Sequence, residues 1–282
     1  KESSDATKKI HAFLQDLVQL EADVSALMGH ARNMVTRISG GLSYWARQLD
    51  FEPYRLRVVG TAGSGKTQLA LAEYRVAIDA GKRPLYICYN RPLADHFAHI
   101  APDGGVVATF FQFCDQRVRF AGETPDFKRP DAFEQLLHRA NELPIDDAFL
   151  FDTVIIDEGQ DFSEQWRDFI FRHARPNARM LWLEDPMQNL YGKASVPLEG
   201  WLTMHARSNY RSPRPIVHLL QAMLPANLEI EARSPIEADE VDILTYQDTA
   251  GLYQSVKEAI RNCYSAGFKK KDIAIVSYHG RE

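Results

Sequence analysis

The stretch Gly60-Thr-Ala-Gly-Ser-Gly-Lys66-Thr67 follows the pattern G-x-x-x-x-G-K-[ST], and its reading decides the fold class. Small residues let the main chain close around a phosphate with its N–H groups turned inward. The lysine reaches the outer phosphates of a nucleotide, and the hydroxyl after it is placed for Mg²⁺. The flanks agree. Tyr54 to Val59 alternates and ends apolar, like a strand, and Gln68-Leu-Ala-Leu-Ala-Glu-Tyr-Arg75 reads as a helix whose N-terminus faces the anion. Gly60, Thr61, Ala62, Gly63, Ser64, Gly65, Lys66 and Thr67 are therefore the candidate phosphate site.

Downstream, strand and helix signals alternate. Apolar runs at 84–89, 105–109, 153–156 and 180–183 suit buried parallel strands, and helices are expected near 131–143, 164–173 and 213–224. This rhythm predicts an α/β fold, a parallel sheet flanked by helices. The strand ending at Ile156 delivers Asp157 and Glu158 at its carboxyl end, the edge where such sheets bind ligands. Adjacent carboxylates there suit Mg²⁺ coordination by the first and water activation by the second.

Taken in order, Gly60–Thr67, Asp157-Glu-Gly-Gln-Asp161, Glu184-Asp-Pro-Met-Gln188-Asn-Leu-Tyr191 and Asn209-Tyr-Arg-Ser212 resemble the motifs of superfamily 1 helicases of the UvrD/Rep type. Tyr89-Asn-Arg-Pro-Leu-Ala94 and Thr109-Phe-Phe-Gln-Phe-Cys114 agree more weakly. The resemblance spans about Tyr54 to Leu220 and implies a P-loop NTPase of the RecA-like kind that binds and hydrolyses ATP with Mg²⁺. It assigns Lys66 to the transferring phosphate, Thr67 and Asp157 to the metal, and Glu158 to the attacking water. Gln188 would sense the γ-phosphate, Arg211 would serve as an arginine finger, and Tyr210 would stack on adenine. It also implies single-stranded DNA as partner, RNA not excluded, along Asn90, Thr109, Phe110 and Tyr191. Phe110 is balanced between groove and core, whereas Phe111 and Phe113 are assigned to the core.

The chain departs from that pattern in places. No Leu-Asn-x-x-Gln segment precedes the phosphate loop, Gln68 stands where an arginine is usual, and Lys193 replaces a second aromatic after Tyr191. The insertion at 115–150 is short. Three parts are expected: an N-terminal helical segment over 1–50, a RecA-like ATPase domain over 51–235, and the opening of a second RecA-like domain over 236–282. In the last, 241–246, 252–264 and 272–276 read as strand, helix and strand, and the remaining half of the motor is an expected partner. In the first, Ile10, Phe13, Leu17, Leu20, Val24, Leu27, Ala31, Met34 and Ile38 keep a heptad that Gly40-Gly41 ends, a seam for its own domain or for a protein partner. A net charge of −5 means that any nucleic-acid site is local rather than a whole-surface field. Three scattered cysteines give neither a disulfide framework nor a zinc site and fit a reducing cytoplasm, and no apolar run is long enough to span a bilayer.

Overall fold

The computed structural model describes residues 41–49, 51–189, 194–223 and 229–277. The heptad and Tyr191 lie outside the described residues. One compact unit comprises residues 36–237; the described part of the other is 238–277.

The first unit is built on six parallel strands: β1 (Arg55–Gly60), β2 (Pro84–Cys88), β3 (Val106–Thr109), β4 (Phe151–Ile156), β5 (Ala174–Glu184) and β6 (Leu202–Ala206). Their order across the sheet is β3-β2-β4-β5-β1-β6, and every pairing is parallel. Parallel strands need both faces covered, which explains their runs of apolar residues. Successive side chains go to opposite faces. Leu85, Ile87, Val154, Ile156, Met180 and Trp182 join one core, whereas Tyr86, Cys88, Ile155, Leu181 and Leu183 join the other.

Eight helices are described: α1 (Gly41–Gln48), α2 (Lys66–Asp79), α3 (Arg91–Ile100), α4 (Phe110–Phe120), α5 (Ala132–Glu142), α6 (Glu164–Phe171), α7 (Arg214–Met223) and α8 (Thr249–Ser265). Leu69, Tyr74 and Phe97 from α2 and α3 pack on the Tyr86 face, with Ala46 of α1 joining them. Phe110, Phe113, Leu136 and Phe169 from α4, α5 and α6 pack on the opposite one. Gly41 lies in α1, and the helix that Gly40-Gly41 is expected to end falls outside the described residues. The aromatic run after β3 is the first turn of α4, where Thr109 and Gln112 form a reciprocal capping box. Cys88 and Cys114 are buried in the two cores, and burial pushes both thiols up to about 12.

In the second unit only α8 matches its expected strand-helix-strand. Residues 241–246 and 273–277 form no ladder among the described residues, and 270–272 make a single 3₁₀ turn. A strand exists only by pairing, and apolar alternation alone does not supply a neighbour.

Candidate nucleotide site and adjoining cleft

Because all six strands run the same way, their carboxyl ends share one edge. The loop after β1, Asp157 and Glu158 after β4, Asp185 to Gln188 after β5, Thr109 at the end of β3 and Asn90 beyond β2 all lie there. β5 separates β4 from β1, so its trailing segment falls between the carboxylate pair and the phosphate loop.

The loop runs from Gly60 into α2 through Gly63 and Gly65, both with positive φ. At Gly63 a Cβ would stand 2.7 Å from Arg211 Cβ and from Asn209 Oδ1, so a bare backbone lets the two segments touch. Tyr210 N–H donates to Gly63 O at 3.0 Å. Asn209 Oδ1 accepts from the N–H groups of Arg211 and Ser212 at 2.9 and 2.8 Å, a local turn that fixes Tyr210 and Arg211 beside the loop. Tyr210 and Arg211, expected at the adenine and at the departing phosphoryl group, are thus brought beside Gly63.

Lys66 Nζ is buried and donates to Gly60 O at 2.6 Å and Thr61 O at 3.1 Å; Asp185 Oδ2 lies 3.8 Å away. Thr61 Oγ1 and Ser64 Oγ are buried with no hydrogen-bond partner among the described residues. Unsatisfied buried hydroxyls are costly, and these two sit in a loop whose N–H groups and lysine suit an anion. The residues fit a nucleotide phosphate.

Asp157 is buried, with Oδ2 accepting from the Tyr86 hydroxyl at 2.8 Å and Oδ1 from Glu158 N–H at 3.0 Å. Burial, reinforced by the neighbouring Glu158 carboxylate, pushes its carboxyl up to about 6; the Tyr86 hydrogen bond and Lys66 pull the other way. No cluster of three or more His, Cys, Asp or Glu able to hold a metal occurs among the described residues. Asp157 and the Thr67 hydroxyl fit Mg²⁺ as a hard-oxygen pair, a set that leaves most ligand positions to phosphate and water.

Glu158 takes the left-handed conformation, φ 54° and ψ 47°, the one residue other than glycine with positive φ among those described. Its Oε2 accepts from Gln160 Nε2 at 2.6 Å, and Gln160 Oε1 accepts from Asp185 N–H at 2.9 Å. Gln188, exposed, donates from Nε2 to Asp185 Oδ2 at 2.7 Å. Glu184, one residue earlier, belongs to the scaffold. It is buried, paired with Arg57, and accepts from Trp182 Nε1 at 2.9 Å. That indole leaves no room for a side chain at Gly159, where a Cβ would stand 2.2 Å from Trp182 Nε1.

From Glu158, Gln160 and Gln188 a cleft of about 930 Å³ runs across the sheet edge to Asn90, Thr109 and the aromatic rings of Phe111, Phe127 and Phe133. Asn90 and Thr109 are on its wall, and both side-chain oxygens cap helices, accepting from Leu93 N–H and Gln112 N–H. Phe110 is corrected to the core. It is fully buried, stacked on Trp166 with centroids 4.3 Å apart, because the first turn of α4 carries it back under the sheet. Phe113 is core as expected. Phe111 packs half-buried against that core and also lines the cleft, 4.7 Å from the ring of Phe133. Tyr86, Gln160 and Asp185 were missed: Tyr86 reads as an ordinary strand residue, and the other two lie inside motifs without a role of their own. Phe127 and Phe133 had no sequence signal beyond being aromatic in a polar insertion.

No family model matches this chain, and no curated protein matches it. Among solved structures it is similar to AMPPCP-bound DnaA from Aquifex aeolicus, at 15% identity and a TM-score of 0.35, over 84% of this chain and 64% of that one. It is similar also to a DNA replication initiation factor, at 13% identity and a TM-score of 0.35, over 83% of this chain and 62% of that one. The chain spans less than two thirds of either. Its own features, a parallel sheet with the phosphate loop between β1 and α2, are those of a P-loop nucleotide-binding domain.

Proposed function

We propose that this chain is the ATP-hydrolysing motor domain of a superfamily 1 helicase or translocase that acts on single-stranded DNA. The observation that carries the reading is convergence on one loop. The Asn209-Tyr-Arg-Ser212 turn touches Gly63, Asp185 approaches Lys66, and Gln188 is tied to Asp185. A kinase reading explains the phosphate loop but gives Gln188 and Arg211 nothing to do.

In this reading Lys66 leaves its carbonyl partners for the β- and γ-phosphates, and the Thr61 and Ser64 hydroxyls gain acceptors. Thr67 and Asp157 hold Mg²⁺, which when bound neutralises charge on the phosphate oxygens. Glu158 orients the attacking water and takes its proton, Gln188 contacts the γ-phosphate, and Arg211 stabilises charge on the departing phosphoryl group. Tyr210 stacks on the base. The cleft takes the single strand, by stacking on exposed rings and by hydrogen bonds from Asn90.

A second reading keeps the ATPase and discards the motor: a nucleotide-gated switch whose heptad segment recruits a protein partner. It is favoured by the acidic side chains Asp115, Glu158 and Asp161 on the cleft wall. The deciding experiment is ATP hydrolysis by the full-length protein with and without single-stranded DNA, beside Glu158→Gln. Stimulation abolished by the substitution is expected for the motor. Hydrolysis indifferent to DNA supports the switch.

A further inference from the structure

Gln160 bridges the candidate general base and the segment that carries the phosphate sensor. One end donates to Glu158 Oε2 at 2.6 Å, and the other accepts from Asp185 N–H at 2.9 Å. The partners fix the orientation of the amide. Asp185 N–H is only a donor, so it requires the carbonyl oxygen; that leaves Nε2 to the Glu158 carboxyl. Gln160 is itself buried, in a single 3₁₀ turn (Gly159–Asp161) whose entry is the left-handed Glu158.

We propose that Gln160 is a positioning residue for hydrolysis, locking the Glu158 carboxylate to the end of β5 so that base and phosphate sensor move as one body. This rests on the ATPase reading above. Three geometric facts support it. Glu158 has a main-chain conformation that its own side chain disfavours, so an outside tie is needed to give the carboxylate one direction. The tie ends on the main chain of Asp185, not on a mobile side chain. That same residue approaches Lys66 and holds Gln188. A shift of the β5 end caused by phosphate at Lys66 or by a strand in the cleft is therefore delivered to the base through one amide. Because Gln160 also lines the cleft beside Glu158 and Gln188, the tie lies where a bound strand could press on it.

The test uses the protein with Gln160→Ala and Gln160→Glu. The first removes both hydrogen bonds. The second keeps an acceptor for Asp185 but sets a carboxylate against Glu158. Expected for Gln160→Ala is a ~10–100-fold loss in the single-turnover rate, the range for partners that orient a reacting group. Its Kd for a fluorescent ATP analogue should stay within about twofold of wild type, since no nucleotide contact is removed. Expected for Gln160→Glu is a loss of single-turnover rate at least as large as for Gln160→Ala, because a carboxylate there repels the Glu158 carboxylate instead of donating to it. Independently of turnover, the Gln160 side-chain amide should show slowed hydrogen exchange by NMR in the nucleotide-free protein, and lose it in Glu158→Ala. A rate within about twofold of wild type in Gln160→Ala overturns the proposal, as does an equal loss of rate, affinity and melting temperature. A solvent-like amide in wild type overturns the tie itself. Absence of hydrolysis in wild type, with the amide still protected, overturns the ATPase reading and leaves the tie standing.

Discussion

Glu158 occupies a backbone region in which an L-residue is penalised by about 1–2 kcal/mol. Glu158→Gly should therefore raise stability by about 1 kcal/mol in urea unfolding, less whatever the Gln160 hydrogen bond contributes, while ATP turnover falls ~10²–10⁴-fold. A drop in both would show that the conformation is not strained. Asp157 makes a second argument at this scale. Its carboxyl, pushed to about 6 by burial, is protonated below that value, so Mg²⁺-dependent nucleotide binding should weaken as pH falls from 7 through 6. Tyr86 donates to the charged form, so Tyr86→Phe should move that loss to higher pH, as read by Mg²⁺ titration at stepped pH. The same raised value has the opposite sign for folding. Asp157 contributes stability below about 3.8 that is lost as pH rises through about 6.

Between elements, one buried pair ties four segments together. Arg117 of α4 donates to His173 Nε2, and to the carbonyls of Leu143 and Pro144 just past α5, each at 3.0 Å. His173, in the turn between α6 and β5, donates from Nδ1 to Phe169 O at 2.8 Å. Burial and the adjacent guanidinium lower its pKa from 6.5 to about 3, so it is neutral in the fold. A depressed histidine adds stability above about 6.5 that drains away as pH falls through about 3. Urea unfolding from pH 7 to 4 should thus show a loss of a few kcal/mol, at up to 1.4 kcal/mol per pH unit per proton. In His173→Phe this part of the slope should vanish. Legibility also varied by element. The buried strands were legible because parallel strands must be apolar on both faces. β6, at the edge with the half-exposed pattern of Leu202–Ala206, left no such run. The first turn of α4 was hidden because three phenylalanines in four residues look alike, although only Phe111 reaches the cleft.

At the scale of the molecule, an overall charge of −5 and acidic side chains on the cleft wall, set against Arg91 that is itself paired with Asp95, leave little to attract phosphates. Exposed rings are what the cleft offers, notably Phe133 and Phe127. If a single strand binds there by stacking, affinity for oligothymidine should fall less than about tenfold between 50 and 200 mM salt, where many phosphate contacts would cost ~10³–10⁵. Phe133→Ala should weaken it by about 1–3 kcal/mol in fluorescence anisotropy. A steep salt slope with an unaffected Phe133→Ala would place the strand elsewhere. The phosphate loop and acidic pair were legible because their chemistry is written in consecutive residues. The ties of Tyr86 to Asp157 and of Gln160 to Asp185 were not, since they join residues 71 and 25 positions apart that only the sheet brings together.

The burial of Cys88 and Cys114 leaves the molecule with a practical address. Their thiols, held near 12, are neither ionised at neutral pH nor open to solvent, whereas Cys263 on α8 is partly exposed. Thiolate chemistry follows ionisation and access. Ellman's reagent should therefore titrate one thiol rapidly in the native protein and all three of its cysteines in guanidinium. A maleimide dye would then report from α8 alone, with no cysteine engineered in or out, and its response to added nucleotide could be followed in unmodified sequence.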